Sequence, residues 1–259
     1  MANRKHYDLK QMVAGGYSSD HSSIHKFGAT DSMSIGTTGT IWDVDDTLYP
    51  WSAWDTAGTV VLTSSSTEDD EDKGGGVEGT GAHRVTIIGL DEDYNQIEEE
   101  LITNGTSTRT STNTFKRIFR AYVSAGNTNT GTISISRGGT DVCVIRAGLG
   151  QTLMSVYTVP AGYIGYLYKG TSSIEKSGDA TVSMFIKRFN NGAFRIAHTF
   201  EIQGDGGQYT YDFAFPPALA EKTDIDVRAT MRSNNSRITA AFDLLLVEND
   251  PSAPISSSL

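Results

Sequence analysis

The residues best equipped for chemistry are carboxylates at short spacings. In Asp91-Glu92-Asp93-Tyr94-Asn95-Gln96-Ile97, the residues Asp91, Asp93 and Asn95 set oxygens at alternate positions. That arrangement suits a hard cation, and a structural calcium ion is the candidate cofactor. However, Gln96 stands where a helix-loop-helix calcium site requires glycine, and Glu100 falls two residues early. A hairpin turn between two strands explains the same residues. A denser acidic run, Glu68-Asp69-Asp70-Glu71-Asp72, precedes Lys73 and three glycines. Its members repel one another, so the expectation is a solvated, mobile loop that collects cations or meets a basic patch on a neighbouring subunit.

Every tryptophan falls between Trp42 and Trp54: Trp42, Trp51 and Trp54, with Tyr49 among them. Clustered aromatics stack on sugar rings or plug an interface between domains or subunits, and an interface or core role is the reading adopted. His6, His21 and His25 are spaced too irregularly for a metal site. Cys143 is the single cysteine, so no intramolecular disulfide forms, and its mid-strand setting reads as a small buried hydrophobe. His198 falls on the apolar side of a strand pattern and reads as a hydrogen-bonded core histidine.

Asp43-Val44-Asp45-Asp46-Thr47 resembles the first motif of the haloacid-dehalogenase phosphotransferases, D-x-D-x-T. The resemblance implies Asp43 as the nucleophile at phosphorus, Asp45 as acid and base, and Mg²⁺ between carboxylate and phosphate. That family requires a hydrophobic parallel strand before the motif and helices after it. Here Gly36-Thr37-Thr38-Gly39-Thr40-Ile41-Trp42 comes before, and no helical spacing follows. The expectation is that the protein is not an enzyme.

The elements that would carry these residues are strands. Hydrophobic residues make up 37% of the 259, below the usual globular share, and the 27 glycines supply turns. Strand-like runs cover 58–65, 83–90, 97–104, 114–123, 132–136 and 141–146, then 152–160, 163–172 and 180–189. Beyond these, alternation is clean: Phe194, Ile196, His198, Phe200 and Ile202; Tyr209, Tyr211, Phe213 and Phe215; Ile225, Val227, Ala229 and Met231; Ile238, Ala240, Phe242, Leu244 and Leu246. Period-two patterning marks strands with one buried side. Pro216–Lys222 reads as a turn of helix or an extended crossover.

The fold expected is all-β: two antiparallel β-sandwich (jelly-roll-like) domains with an extended N-terminal arm. Residues 1–40 form the arm, 41–148 one sandwich with the acidic loop, 149–249 the second, and 250–259 a flexible tail. A net charge of −10 repels phosphate, so no nucleic-acid partner is expected. No apolar run reaches the ~18 residues that span a bilayer, and no secretory pattern opens the chain. Membrane contact is therefore not expected, and synthesis belongs in a reducing cytoplasm.

Two stretches carry a resemblance to virion structural proteins of tailed bacteriophages, particularly of marine and cyanobacterial hosts. One is Thr80–Gly131, with its Val-Thr-Ile, Gly-Leu-Asp, Tyr-Asn-Gln-Ile-Glu-Glu and Phe-Lys-Arg-Ile runs. The other is Gln151–Glu248, with Thr152–Gly162 and Glu221–Ala229. The resemblance implies a particle component, and the acidic all-β chain with a polar arm fits a capsid decoration or cement protein. Its implied partners are the major capsid protein and copies of itself, as a homotrimer, in a particle made in a bacterial cytoplasm. A tail, head–tail adaptor or glycan-contacting protein is the alternative.

Overall fold

The structure, a computed structural model, describes residues 8–249 except 45, 176, 177 and 191. One short helix, α1 (Leu9–Ala14), opens it, followed by β1 (His21–Met33) and β2 (Thr38–Thr40) and a single 3-10 turn at Trp51–Trp54. Next come β3 (Val61–Ser64), β4 (Ala82–Leu90), β5 (Gln96–Ile102), β6 (Arg109–Thr110), β7 (Arg117–Gly126), β8 (Ile133–Arg137) and β9 (Thr140–Ile145). The last eight are β10 (Val156–Thr158), β11 (Tyr163–Ile174), β12 (Asp179–Lys187), β13 (Arg195–Ile202), β14 (Gln208–Asp212), β15 (Ala218–Leu219), β16 (Asp224–Ser233) and β17 (Ser236–Glu248). The protein is all-β, and its named strand pairs are all antiparallel.

Four sheets result. One runs β1-β17-β11-β14 with β15 added on β11, and a second runs β10-β16-β12-β13 with β2 added on β16. These two share a core in which Phe242, Leu244 and Leu246 of β17 meet Val182 and Met184 of β12 and Ile225 and Val227 of β16. Each such side chain contributes roughly 1.5–3 kcal/mol by leaving water. The β6-β3-β8-β9 and β5-β4-β7 sheets enclose a second core of Leu62, Ile87, Phe115, Ile118, Ile135 and Cys143. The tryptophan segment packs into this second core.

Part of the expected N-terminal arm is built into the fold. Residues 21–33 pair along β17 from His21↔Val247 to Met33↔Ser236, so the partner of this stretch is the same chain. The strand was hidden because its positions opposite the core face of β17 are Ile24, Lys26, Gly28 and Thr30 rather than a row of large apolar residues. Gly28 is required there. A Cβ on it would sit 2.2 Å from the Ile41 carbonyl oxygen and 2.5 Å from the Ser155 nitrogen. Residues 1–7 and 250–259, the outer arm and the tail, lie outside the described residues.

Other local expectations shift as well. α1 starts at Asp8, whose side chain accepts from the Gln11 N–H at 2.8 Å while Gln11 reaches back to the Asp8 N–H, forming a capping box. Pro216–Lys222 takes the extended option through β15. A register shift between Met184 and Phe185 breaks the alternation of β13, leaving Ile196 58% exposed. A similar shift between Leu167 and Lys169 brings Tyr168 to the surface.

The acidic run is not a free loop. Asp69 is fully buried and accepts four hydrogen bonds: from Ser64 Oγ (2.6 Å) and from the N–H groups of Ala82 (2.9 Å), Thr130 (2.7 Å) and Gly131 (2.8 Å). One carboxylate thus ties the end of β3, the start of β4 and the turn before β8. A Cβ on Gly81 would lie 2.0 Å from Asp69 Oδ1, so this approach needs glycine. Glu71 takes Arg84 at 2.6 Å. Glu68 takes Lys73 and the Thr80 N–H, and the Lys73 hydrogen bond is the largest of the contacts that hold its pKa below the usual carboxylate value. Asp69→Ala should therefore lower stability by about 3 kcal/mol, measured by urea unfolding, because several buried donors lose a charged acceptor together.

Candidate functional site

A dense set of interacting polar and aromatic groups lies where the two cores meet, on the face of β16 turned away from the first core. Ile225, Val227 and Ala229 turn into one core. Asp224 and Asp226, alternating with them on the opposite face of the strand, are buried as well, with the tryptophan segment and β7 among their partners. Arg117, at the start of β7, donates from Nε and Nη2 to the two oxygens of Asp224, both at 3.0 Å. This bidentate geometry is the strongest that a guanidinium offers a carboxylate. Nη1 of Arg117 donates to the Trp54 and Lys116 carbonyls at 2.9 Å each, and Thr158 donates to Asp224 at 2.7 Å. Burial alone would lower the Arg117 pKa; the Asp224 contacts outweigh it, so the group is held above its usual value.

Asp226 is the second node. It accepts from Trp51 Nε1 (2.8 Å), Thr40 Oγ1 (2.9 Å) and Arg228 Nε (2.8 Å). Burial pushes its pKa up, opposed by Arg228 and the two hydrogen-bond donors. Tyr49 donates its hydroxyl to the Ile118 carbonyl at 2.8 Å, and burial is the cause of its raised pKa. Trp42, Tyr49 and Trp51 follow one another edge to face, with centroids 5.4 and 4.6 Å apart. The Arg117 guanidinium lies 5.3 Å from the Trp51 ring. Trp42, Tyr49, Trp51 and Trp54 are therefore buried within this chain, Trp54 completely, and present no open ring face on which a sugar could stack.

Lys26 is a third node, reaching from β1 into the neighbourhood of the other core. It is buried, and its ammonium donates to the Phe119 carbonyl. Burial pulls its pKa down to about 7; Cys143 and Asp43 favour the charged form, and Arg120 opposes it. Cys143 is fully buried, and burial pushes its thiol well up.

The other candidates separate. Asp43 is buried, and its carboxylate accepts the Leu153 N–H. Arg146 Nε stands 3.6 Å from that carboxylate, and Nε and Nη2 donate to the Asp43 carbonyl at 3.1 and 2.9 Å. Asp45 lies outside the described residues, as does His6. Asp91 closes the β4–β5 hairpin. Its Oδ1 accepts the N–H groups of Asp93 (2.9 Å) and Asn95 (2.8 Å), and its Oδ2 accepts Asn95 Nδ2 at 3.1 Å. Tyr94, at φ +68°, makes the turn. The Asp91 carboxylate thus serves the turn as the shared acceptor of Asp93 and Asn95. Among the described residues no group of three or more His, Cys, Asp or Glu is placed to hold a metal ion. His21 pairs with Asp20, and His25 with Asp243. His198 stacks near Tyr211, centroids 4.8 Å apart, and burial lowers its pKa.

Arg117, Asp224, Asp226 and Lys26 were not singled out by sequence reasoning, and Asp69 only as one member of an acidic run expected in solvent. Only the pair of aspartates in alternate positions of β16 gave a signal, and the same pattern describes an ordinary solvated strand face.

No protein-family model matches the chain, and no curated protein matches it. Among solved structures, the chain is similar to one from the naturally occurring empty particles of cowpea mosaic virus top component, with 8% identity and a TM-score of 0.23, covering 78% of this chain and 90% of that one. A cowpea mosaic virus empty virus-like particle gives 12% identity and 0.22, covering 78% and 87%. The Gt strain of infectious bursal disease virus gives 8% and 0.20, covering 91% and 74%. These neighbours come from viral particles, and at such scores the overlap of the chains is too slight to assign a role.

Two outcomes are expected at the junction. Arg117→Met leaves Asp224 buried without its cation and should cost about 3–5 kcal/mol in chemical denaturation, whereas the Arg117→Met/Asp224→Leu pair should recover much of that loss. For Lys26, the folded pKa of about 7 lies below the ordinary 10.5. The unfolded chain therefore binds more protons between those values, and the wild-type contribution rises with pH across that window. Lys26→Met should remove that rise, so its stability relative to wild type should be greatest below pH 7 and decline towards pH 10.

Proposed function

We propose that this chain is a structural component of a virus particle, and specifically a capsid decoration or cement protein of a tailed bacteriophage. It would act as copies of itself, a homotrimer, bound to the major capsid protein, in a virion made in a bacterial cytoplasm. The observation that carries the reading is where the chemistry-bearing side chains lie. The Arg117–Asp224 pair, the Asp226 node, the tryptophans and Asp69 all brace the fold from within. Such a build suits a rigid block that transmits mechanical force. The resemblance of residues 80–131 and 151–248 to phage structural proteins supports the same role. The function is mechanical: burying ~800 Å² per partner at each of many repeated contacts resists pressure on a shell.

Two parts of the simplest cement mechanism change. β1 is paired along β17 and is not available to lie across a neighbour. The tryptophan window is buried, so the glycan-contacting alternative loses the residues that motivated it. We also propose that the chain has no phosphotransferase activity, since the Asp43 carboxylate is buried against Leu153 and Arg146.

The test is the copy number and position of the protein in purified particles, by cryo-electron microscopy with gel stoichiometry against the major capsid protein. Hundreds of copies on the capsid exterior at threefold positions are expected. A dozen or fewer at the tail vertex would replace this role with the tail alternative. Absence from particles, with Mg²⁺-dependent phosphatase activity abolished by Asp43→Asn, would overturn the structural reading altogether.

A further inference from the structure

Residues 1–7, Met-Ala-Asn-Arg-Lys-His-Tyr, contain Arg4 and Lys5 and no carboxylate, in a chain whose net charge is −10. They lead directly into Asp8, the N-cap of α1. Asp8 is also on the rim of a groove of about 950 Å³ that opens between α1 and the β1-β17-β11-β14 sheet. Leu9, Val13, Tyr168, Phe213 and Leu245 form apolar walls. α1 is six residues long, about 9 Å at helical rise, and its Leu9 stays half exposed.

The charge inside the groove is unbalanced. Lys169 and Asp212 are cross-strand neighbours on β11 and β14 and offset each other. Asp8 and Asp243 are then left against Lys10 alone. Asp8 accepts the Gln11 N–H on Oδ1, and Asp243 meets His25 on Oδ1. Among the described residues, each keeps Oδ2 for a further donor. The groove therefore calls for an occupant that is partly apolar and carries a surplus of positive charge.

We propose that the groove is the receptor for residues 1–7 of the same chain, with Arg4 and Lys5 directed to Asp8 and Asp243 and the apolar parts of the segment against Tyr168 and Phe213. Seven residues reach at most roughly 25 Å, enough to run the length of α1 and across the sheet beside it. Tethering at Asp8 makes the contact intramolecular, so modest attractions hold it. The other occupants offer less. A second copy brings a net charge of −10 to a groove already negative, and residues 250–259 bring Asp250 and no cation. Docked in this way, the segment ties α1 to β11 and β14. This inference does not depend on the virion role.

The experiment is limited trypsin digestion of the full chain, followed by mass spectrometry, for wild type and Asp243→Lys. The Asp243 side chain is 44% exposed, so circular dichroism should match between the two. Cleavage after Arg4 and Lys5 is expected to be tenfold or more faster in the variant, and equal rates overturn the proposal. A second measurement uses disulfide capture under mild oxidation. Ser23 lines the groove, whereas its neighbour Ser22 points to the other face of β1. The Ala2→Cys/Ser23→Cys chain should close an intramolecular link, and Ala2→Cys/Ser22→Cys, with nearly the same tether, should not. Equal capture at the two positions, or capture only between chains, overturns the proposal even if Asp243→Lys disturbs the fold.

Discussion

The bidentate bond between Arg117 and Asp224 is the constraint on which the rest of the structure depends. Each group is excluded from water, and neither charge is tolerable there without the other. Satisfying them fixes the start of β7 against the start of β16, hence one core against the other. Thr158, Trp54 and the neighbouring Lys116 carbonyl fill the remaining hydrogen-bonding positions, so the pair is held by two further segments, β10 and the tryptophan turn. Asp226 repeats the arrangement two residues along the same strand, with Trp51, Thr40 and Arg228. The tryptophan segment is compact because it is bound from both sides: its rings by the second core, its polar groups by β16.

This arrangement explains why several motifs that look chemical are not exposed. A carboxylate in a turn or strand of a chain with modest apolar content can substitute for hydrophobic packing by collecting donors from several segments at once. Asp69 does so for three segments of the first half, and Asp43 does so for Arg146 and Leu153. The cohesion of the molecule is thus more polar than its all-β outline suggests.

The strands were legible wherever one face is apolar and the other polar, as in Ile238–Leu246, where every second residue enters the core. β1 was not legible, because the positions facing the core are Ile, Lys, Gly and Thr, and their fitness comes from partners distant in sequence: the Phe119 carbonyl for Lys26, and the close approach of Ile41 and Ser155 for Gly28. α1 was marked locally by Asp8 and Gln11, but six residues give too little periodicity to register. At the junction the aromatic window was visible as a cluster and its interface-or-core character could be inferred. Its partners could not, since Asp224 and Asp226 look the same whether their face meets water or Arg117. The acidic run misled for the same reason: charge repulsion is read along the chain, whereas the donors that neutralise it come from β4 and the turn before β8.

The pairing of β1 with β17 bears on how the molecule is made. His21 must find Val247, and Met33 must find Ser236, so β1 leaves the ribosome long before its partner has been synthesised. At ~5–20 residues per second the interval is on the order of tens of seconds, far longer than a hairpin takes to form. During that time β2, too, waits for β16, while β3 to β9 already have all their sheet partners among themselves. The order of synthesis therefore favours folding from the middle outward, with the earliest strands joining last. A contact pattern of this kind belongs to slow folders, whose unpaired early strands are open to capture by other nascent chains and so benefit from a chaperone's shelter.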